Sequence, residues 1–461
     1  MTTITTDKSA GREGLRLGNF IVGSVVLLLT MGSAHTVFGA NTFWQGGGDV
    51  SDVDNWFKPL NWNAGVPTSA DNAFINNGPN SGGSSTFSGS PPGTRINASG
   101  AVAFIMRVYN TSQLRVDGGD LTIGNILSLG ETATSNTGTV YQTGGTVNIN
   151  AMGIGGWFSP GIGFYNQSGG ILNNPGGLYI GNPNTPAGSV GTFNLSGGTV
   201  NATGGTVVGG PSGTAVGTVV QSGSSILTTP YLQVYQNGGS ATYTFNGGRL
   251  NLGNGFLANG STFIVGDGTQ SATLNDTAGV GGPTITFFDG LVIANNGTLM
   301  GNGAINANAA GVAINNGGHL APGSSAGTLT PNILGLNGGS ILDYELGPHD
   351  ANGMGYVGGG TNDLTVVSTA NGLTLDGILN VTPLDGFYDF GSGAAATNVY
   401  RLLNYTGTLT DNGLAIGSMP AGTRGFIDTS ISGQVNLLVI PEPSVGLLAL
   451  GGLLMMRRRR Q

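Results

Sequence analysis

The chain has 461 residues, 88 of them glycine and none cysteine, and only 8% are charged, against about 25% in an ordinary globular protein. Glycine at this frequency opposes helices by roughly 1 kcal/mol per interior position, while 38% hydrophobic residues oppose charge-driven disorder. Without cysteine there are no thiolate zinc sites, catalytic thiols or disulfides, and between residues 41 and 440 seven cations against 19 acids cannot build a nucleic-acid surface.

Residues 1–40 read as a secretory signal peptide, a removable N-terminal signal helix. Arg12 and Arg16 supply the positive region, Phe20 to Met31 the apolar one, and cleavage falls after Gly39 or near Ala34. That apolar run is short of the ~20 residues a membrane span needs. Residues 41–100 hold Trp44, Trp56 and Trp62. Large aromatics at the start of a repeat array suit a cap that blocks edge pairing. The second reading of these three tryptophans is a sugar-stacking platform. Asp49, Asp52 and Asp54 miss the D-x-D-x-D spacing of a calcium loop, so a solvated turn and no metal are expected. Residues 79–95, rich in Ser, Gly and Pro, read as a loop.

Residues 101–345 repeat. Tyr141-Gln-Thr-Gly-Gly-Thr-Val-Asn, Tyr165-Asn-Gln-Ser-Gly-Gly-Ile-Leu-Asn, Phe193-Asn-Leu-Ser-Gly-Gly-Thr-Val-Asn and Tyr243-Thr-Phe-Asn-Gly-Gly-Arg-Leu-Asn recur every 24 to 28 residues, with weaker copies from Val116 and Val220. Between them lie Leu127-Ser-Leu-Gly, Met152-Gly-Ile-Gly, Leu178-Tyr-Ile-Gly, Thr206-Val-Val-Gly and Leu232-Gln-Val-Tyr. Each unit is three short runs of period two, which places alternate side chains on one face. One unit cannot bury its apolar face alone, so the units must stack. The spacing predicts an all-β, single-stranded parallel β-helix (β-solenoid) of about 25-residue coils, with glycine corners and a Leu/Val/Ile interior. A β-propeller is the alternative, but its blades need about 40 to 50 residues.

Residues 298–382 carry Asn315-Asn-Gly-Gly-His-Leu-Ala-Pro-Gly-Ser-Ser-Ala-Gly, then Asn362-Asp-Leu-Thr-Val. This text resembles the end of an autotransporter-type passenger β-helix, over residues ~100 to 440. The resemblance implies a surface-exposed rod. No translocator barrel follows in this sequence, so export is expected through the general route of the leader. Residues 346–439 are expected to form a C-terminal β region and cap.

The tail, residues 440–461, has three parts in order. They are Pro441-Glu442-Pro443, an apolar run from Val445 to Met456, and the cluster Arg457, Arg458, Arg459 and Arg460. Positive charge holds that end in the cytoplasm, with the run as a short anchoring helix. The tail resembles the PEP-CTERM sorting domain. The resemblance implies a bacterial protein recognised at Pro441, Glu442 and Pro443 by an exosortase, transiently anchored in the inner membrane and then released or re-anchored outside, with exopolysaccharide or cell-surface glycans as partners.

Catalysis on such a scaffold needs grouped carboxylates. Between residues 121 and 260 the only acid is Glu131 and the only base Arg249. Asp343, Glu345, Asp350 and Asp363 form the densest acidic group, and His319 and His349 lie about one coil apart. Both sets read as surface decoration. The expectation is a non-enzymatic, cofactor-free, structural or adhesive protein of the cell surface or extracellular matrix. The alternatives are a carbohydrate-binding protein and a polysaccharide lyase or hydrolase.

Overall fold

Period-two alternation in short runs, broken by glycine, gives strands that turn sharply and return one layer higher. The computed structural model describes residues 39–45, 54–76, 93–131, 136–182, 188–210, 215–235, 240–348, 361–387 and 397–442. The expected signal helix and C-terminal anchoring helix lie outside them, apart from the flanking residues 39, 40 and 440–442.

Each coil has three parallel faces, the first, second and third sheet; the second and third are continuous, because Ala101–Val108, Leu121–Leu129 and Thr146–Ile154 each run across both, whereas later coils give one strand to each face. One coil comprises Ile162–Gln167, Ile171–Asn173 and Leu178–Ile180, and the next Val190–Leu195, Thr199–Asn201 and Thr206–Val208. Each strand pairs in parallel with its counterpart one coil away. The first sheet has 13 strands, a stack about 58 Å tall at about 4.8 Å per layer. Parallel pairing of successive units excludes the propeller.

The register stacks like on like. In the second sheet Leu172, Val200, Leu227, Leu250, Leu274, Leu299 and Leu320 follow one another as inward neighbours, and all are fully buried. Each buried leucine or valine contributes about 1.5–3 kcal/mol. The column therefore fixes register, because a slip by one residue would turn every leucine to solvent.

The Gly-Gly corner has two causes. The second glycine takes a left-handed backbone at Gly145 (φ 67°), Gly170 (φ 73°) and Gly198 (φ 77°). A Cβ at Gly170 would also lie 2.4 Å from the Gly145 carbonyl oxygen. Only glycine meets both demands.

A polar element runs inside the first sheet, next to this corner. Gln142, Gln167 and Gln221 are buried and share one inward column with Leu195 and Phe245. Gln142 Nε2 donates across the corner to the carbonyl of Ile171 (3.0 Å), and Gln221 Nε2 to that of Arg249 (2.9 Å). A tyrosine of the following coil completes two of these amides. Tyr165 Oη donates to Gln142 Oε1 (2.8 Å) and Tyr243 Oη to Gln221 Oε1 (2.6 Å). Phe193 holds the equivalent place above Gln167, whose Oε1 is buried with no partner among the described residues.

The stack extends past both expected boundaries. Asn41–Phe43 pairs in parallel with Asn72–Ile75, and that strand with Ala101–Val108. The N-terminal region is thus a cap built onto genuine coils. At the other end parallel pairing continues through Ile378–Pro383 to Ala415–Ile416. Gln434–Pro441 then runs antiparallel between Asn398–Asn404 and Thr423–Asp428. This hairpin covers the third sheet's last parallel strand, whose open backbone would otherwise recruit another chain.

Candidate functional site

The three tryptophans pack on one another. Trp62 meets Trp44 edge-to-face at 5.1 Å and Trp56 at 4.7 Å. Its Nε1 donates to the Trp56 carbonyl at 2.8 Å. Trp44, Trp56 and Trp62 are only 2%, 0% and 3% exposed. Their ring faces are buried against one another at the first coils, which suits the cap and leaves no open face for the second reading, a sugar platform. Of the three nearby aspartates only Asp54 lies within the described residues, and it pairs with Arg95 at 3.6 Å.

The second sheet's outer face carries a polar chain near the C-terminal end. His319 Nδ1 lies 2.5 Å from Asp343 Oδ2, Asn380 Nδ2 donates to Asp343 Oδ1 at 3.0 Å, and the Ser418 hydroxyl donates to Asn380 Oδ1 at 3.1 Å. The hydrogen bond to Asp343 raises the His319 pKa, with burial opposing it. Burial pushes Asp343 up, but His319 and Asn380 outweigh it and hold the carboxyl below its ordinary value. The order His–Asp–Asn–Ser leaves the hydroxyl two groups from the imidazole. A nucleophilic serine needs that imidazole as its own base, so this chain orders the surface rather than activating a nucleophile. His349 and Asp350 lie outside the described residues.

Asp343 and Glu345 alternate outward on Ile341–Leu346, as expected. Asp363 does not join them at the surface. It is buried and accepts the Gly327 N–H (2.8 Å) and the Glu345 N–H (2.6 Å). Burial outweighs these bonds and pushes its carboxyl up to about 8. Asp276 is likewise buried and pushed up to about 6, with the Ala278 N–H opposing. Both acids brace turns. Among the described residues no group of three or more His, Asp or Glu side chains is placed to hold a metal.

The third sheet's outer face holds residues that the sequence reading passed over. Its outward column includes Arg107, Ser128, Gly153, Tyr179, Val207, Gln233, Phe256 and Thr286. At one end Arg107 lies over Phe158 (3.9 Å to the ring centre) and 3.4 Å from the buried Glu131. Trp157 meets Tyr179 edge-to-face at 5.4 Å. Farther along, Tyr235 and Phe256 lie 5.8 Å apart, and Phe256 and Phe288 4.3 Å. A groove of about 440 Å³ opens here, lined by Tyr231, Leu232, Gln233, Asn254, Gly255, Phe256, Thr284 and Thr286. Tyr179, Gln233 and Tyr235 stand in the quoted Leu-Tyr-Ile-Gly and Leu-Gln-Val-Tyr runs. Tyr179 and Gln233 each stand between inward apolar neighbours and Tyr235 is two beyond Gln233, which is the signal that all three face outward.

Asparagine ladders run on other outward columns. Asn201 donates to Asn173 and Asn173 to Asn148, each at 2.9 Å, and Asn194 donates to Asn166 at 2.8 Å. Neutral amides thus line the rod lengthwise.

The first two residues of the expected sorting box lie at the end of the terminal hairpin. Pro441 pairs with Thr423 in the terminal hairpin, and the Glu442 N–H donates to the Gly422 carbonyl at 2.9 Å. Pro443 and Arg457 to Arg460 lie outside the described residues.

No family model matches the chain. It is similar to the Adhesin BmaC autotransporter of Brucella suis biovar 1 (strain 1330), with 50% identity over 123 residues. The match takes in 26% of this chain and 3% of that much longer protein.

Proposed function

We propose that this chain is an exported bacterial surface or matrix protein with a structural and adhesive role, built as a β-helix rod and without catalytic activity. The observation that carries the reading is the 50% identity to an autotransporter adhesin, in a chain whose described coils stack as a parallel solenoid. The uncharged amide and hydroxyl columns of its outer faces support contact with neighbouring cells or glycans. In this reading residues 1–40 are removed on export, and an exosortase processes the tail at Pro441, Glu442 and Pro443. Pro441 closes the last strand, so a cut beyond it would leave the terminal hairpin intact.

Three experiments in the native host test this. Intact mass should show a mature chain beginning near residue 40 and ending near residue 440, outside the cell; a membrane-bound chain retaining Val445 to Arg460 would remove the exosortase from the account. Replacing Pro441, Glu442 and Pro443 by alanine should stop processing without unfolding the rod. Deleting the gene should reduce attachment of cells to one another or to a surface, and unchanged attachment would remove the adhesive role.

A further inference from the structure

The rings on the third sheet's outer face are seated by glycines. A Cβ at Gly205 would lie 2.2 Å from the Tyr231 ring, and one at Gly177 would lie 2.9 Å from the Tyr179 ring. Both rings are therefore laid along the backbone, half-buried. On the same face Tyr235 lies 5.8 Å from Phe256, and Phe256 4.3 Å from Phe288, which is 39% exposed. A contiguous outward aromatic row of this kind has no role in the core. On a soluble surface such a row marks a binding site.

The groove of about 440 Å³ beside this row lies within the range of ligand sites, about 300–1,000 Å³. Tyr231 and Phe256 offer apolar ring surface, while Gln233, Asn254, Thr284 and Thr286 offer neutral donors and acceptors. Tyr235 Oη donates to Gln233 Oε1 at 3.0 Å, which orients that amide. Among the described residues no carboxylate, ammonium or guanidinium lines the groove, so a charged polymer would lose hydration there without gaining a counter-charge. A flexible apolar peptide would leave the amides and hydroxyls unmatched. A chain of sugars meets both halves, with C–H faces for the rings and hydroxyls for the polar groups.

We propose that this groove binds a neutral polysaccharide. The sugar chain lies along the rod axis across three coils, with ring faces on Tyr231 and Phe256 and hydroxyls on Gln233, Asn254, Thr284 and Thr286. The assignment rests on the surface-adhesive reading above and gives it a site and a ligand class.

Affinity electrophoresis of the exported protein tests it, in gels containing hydroxyethylcellulose, soluble starch, galactomannan or the anionic polymer alginate. At least one neutral polymer should retard the wild type, with no dependence on salt. The Tyr231→Ala/Phe256→Ala variant should need about tenfold more polymer for equal retardation, with an unchanged circular dichroism spectrum and melting curve. Tyr141→Ala, on the first sheet's outer face, should behave as wild type. If the double variant does not fold, Gln233→Ala and Thr286→Ala replace it, and each should weaken retardation severalfold.

Three results would overturn the proposal: no retardation by any neutral polymer, salt-sensitive retardation by alginate alone, or retardation unaffected by the groove variants. Self-association seen by light scattering and lost in the double variant would assign the groove to a second copy of the chain instead. Cell attachment separates the two levels of the argument. If wild type and double variant both restore attachment to a deletion strain, the groove assignment fails and the adhesive reading stands; if wild type restores none, the adhesive reading fails.

Discussion

The repeat predicts a stabilising substitution in its own core. Gln142 and Gln221 each receive a hydroxyl from a tyrosine one coil away. Gln167 has Phe193 in that place and a buried Oε1 without a partner. Phe193→Tyr supplies the missing donor at a position where Tyr165 and Tyr243 already fit in register. A net hydrogen bond contributes about 1 kcal/mol, and relieving a buried unsatisfied acceptor recovers up to about 1–3 kcal/mol. Crowding by the added oxygen offsets part of this, so the expected gain is about 1 kcal/mol. The reverse change, Tyr165→Phe, strands Gln142 Oε1 and should cost about 1–2 kcal/mol. A solenoid's stability is a sum over repeats and their interfaces, so the effect is read locally. Native-state hydrogen exchange of amides in 162–201 should slow about fivefold in Phe193→Tyr and quicken by a larger factor in Tyr165→Phe. Faster exchange in Phe193→Tyr, together with no change in Tyr165→Phe, would refute the hydrogen-bond argument.

Three further outcomes follow from the same geometry. Gly170→Ala should cost at least about 2–3 kcal/mol, since a left-handed backbone costs about 1–2 kcal/mol and its Cβ would press on the Gly145 carbonyl. Gly279→Ala, at φ 79° with nothing within 4 Å, should cost only about 1–2 kcal/mol, and equal midpoints in denaturant would contradict the close-approach argument. Thermal stability should rise as pH falls from 8 to 5. The unfolded chain releases the Asp363 proton near pH 4, whereas the fold holds it up to about 8; the folded state thus binds more protons across that window and loses stability as pH rises through it. Asp276, pushed up to about 6, acts likewise at the lower end, and His319, whose pKa is raised, acts likewise above about 6.5. Asp363→Asn should remove most of the slope between pH 6 and 8, and a slope as steep as wild type would assign it elsewhere. Arg107→Ala should cost about 3 kcal/mol, because it leaves Glu131, only 1% exposed, without its ion-pair partner; adding Glu131→Gln should recover part of that loss in a double-mutant cycle.

The coil, its length and its three strands were legible because period-two alternation and Gly-Gly corners are local signals. Leu172, Val200 and Leu227 announce an inward column without knowledge of the fold. The remaining features depend on which segments are neighbours. Composition left Trp44, Trp56 and Trp62 open to a cap or a sugar platform, and the antiparallel pairing of Trp44 with Trp62, which folds them onto one another, shows only in three dimensions. The Gln142–Tyr165 bond joins residues 23 positions apart and shows only once coils are laid in register. The aromatic row that includes Tyr231, Tyr235 and Phe256 is not legible in any single unit, because the equivalent outward positions of neighbouring coils hold Val207, Gln233 and Thr286. The antiparallel direction of Gln434–Pro441 is not legible in its residues, because it is set by pairing with Asn398–Asn404, about 30 positions away, as well as with its hairpin neighbour Thr423–Asp428.

The central claim is a rod displayed outside the cell with alternate residues in and out, and the cysteine-free chain allows one direct measurement of it. Thr218 faces outward and Val219 is fully buried inward. Thr218→Cys and Val219→Cys would each be treated in unbroken culture with a maleimide that does not cross membranes. The account predicts labelling at 218 before lysis and none at 219 until the protein is denatured. Equal labelling at both positions would contradict the β-helix, and labelling at 218 only after lysis would contradict surface display.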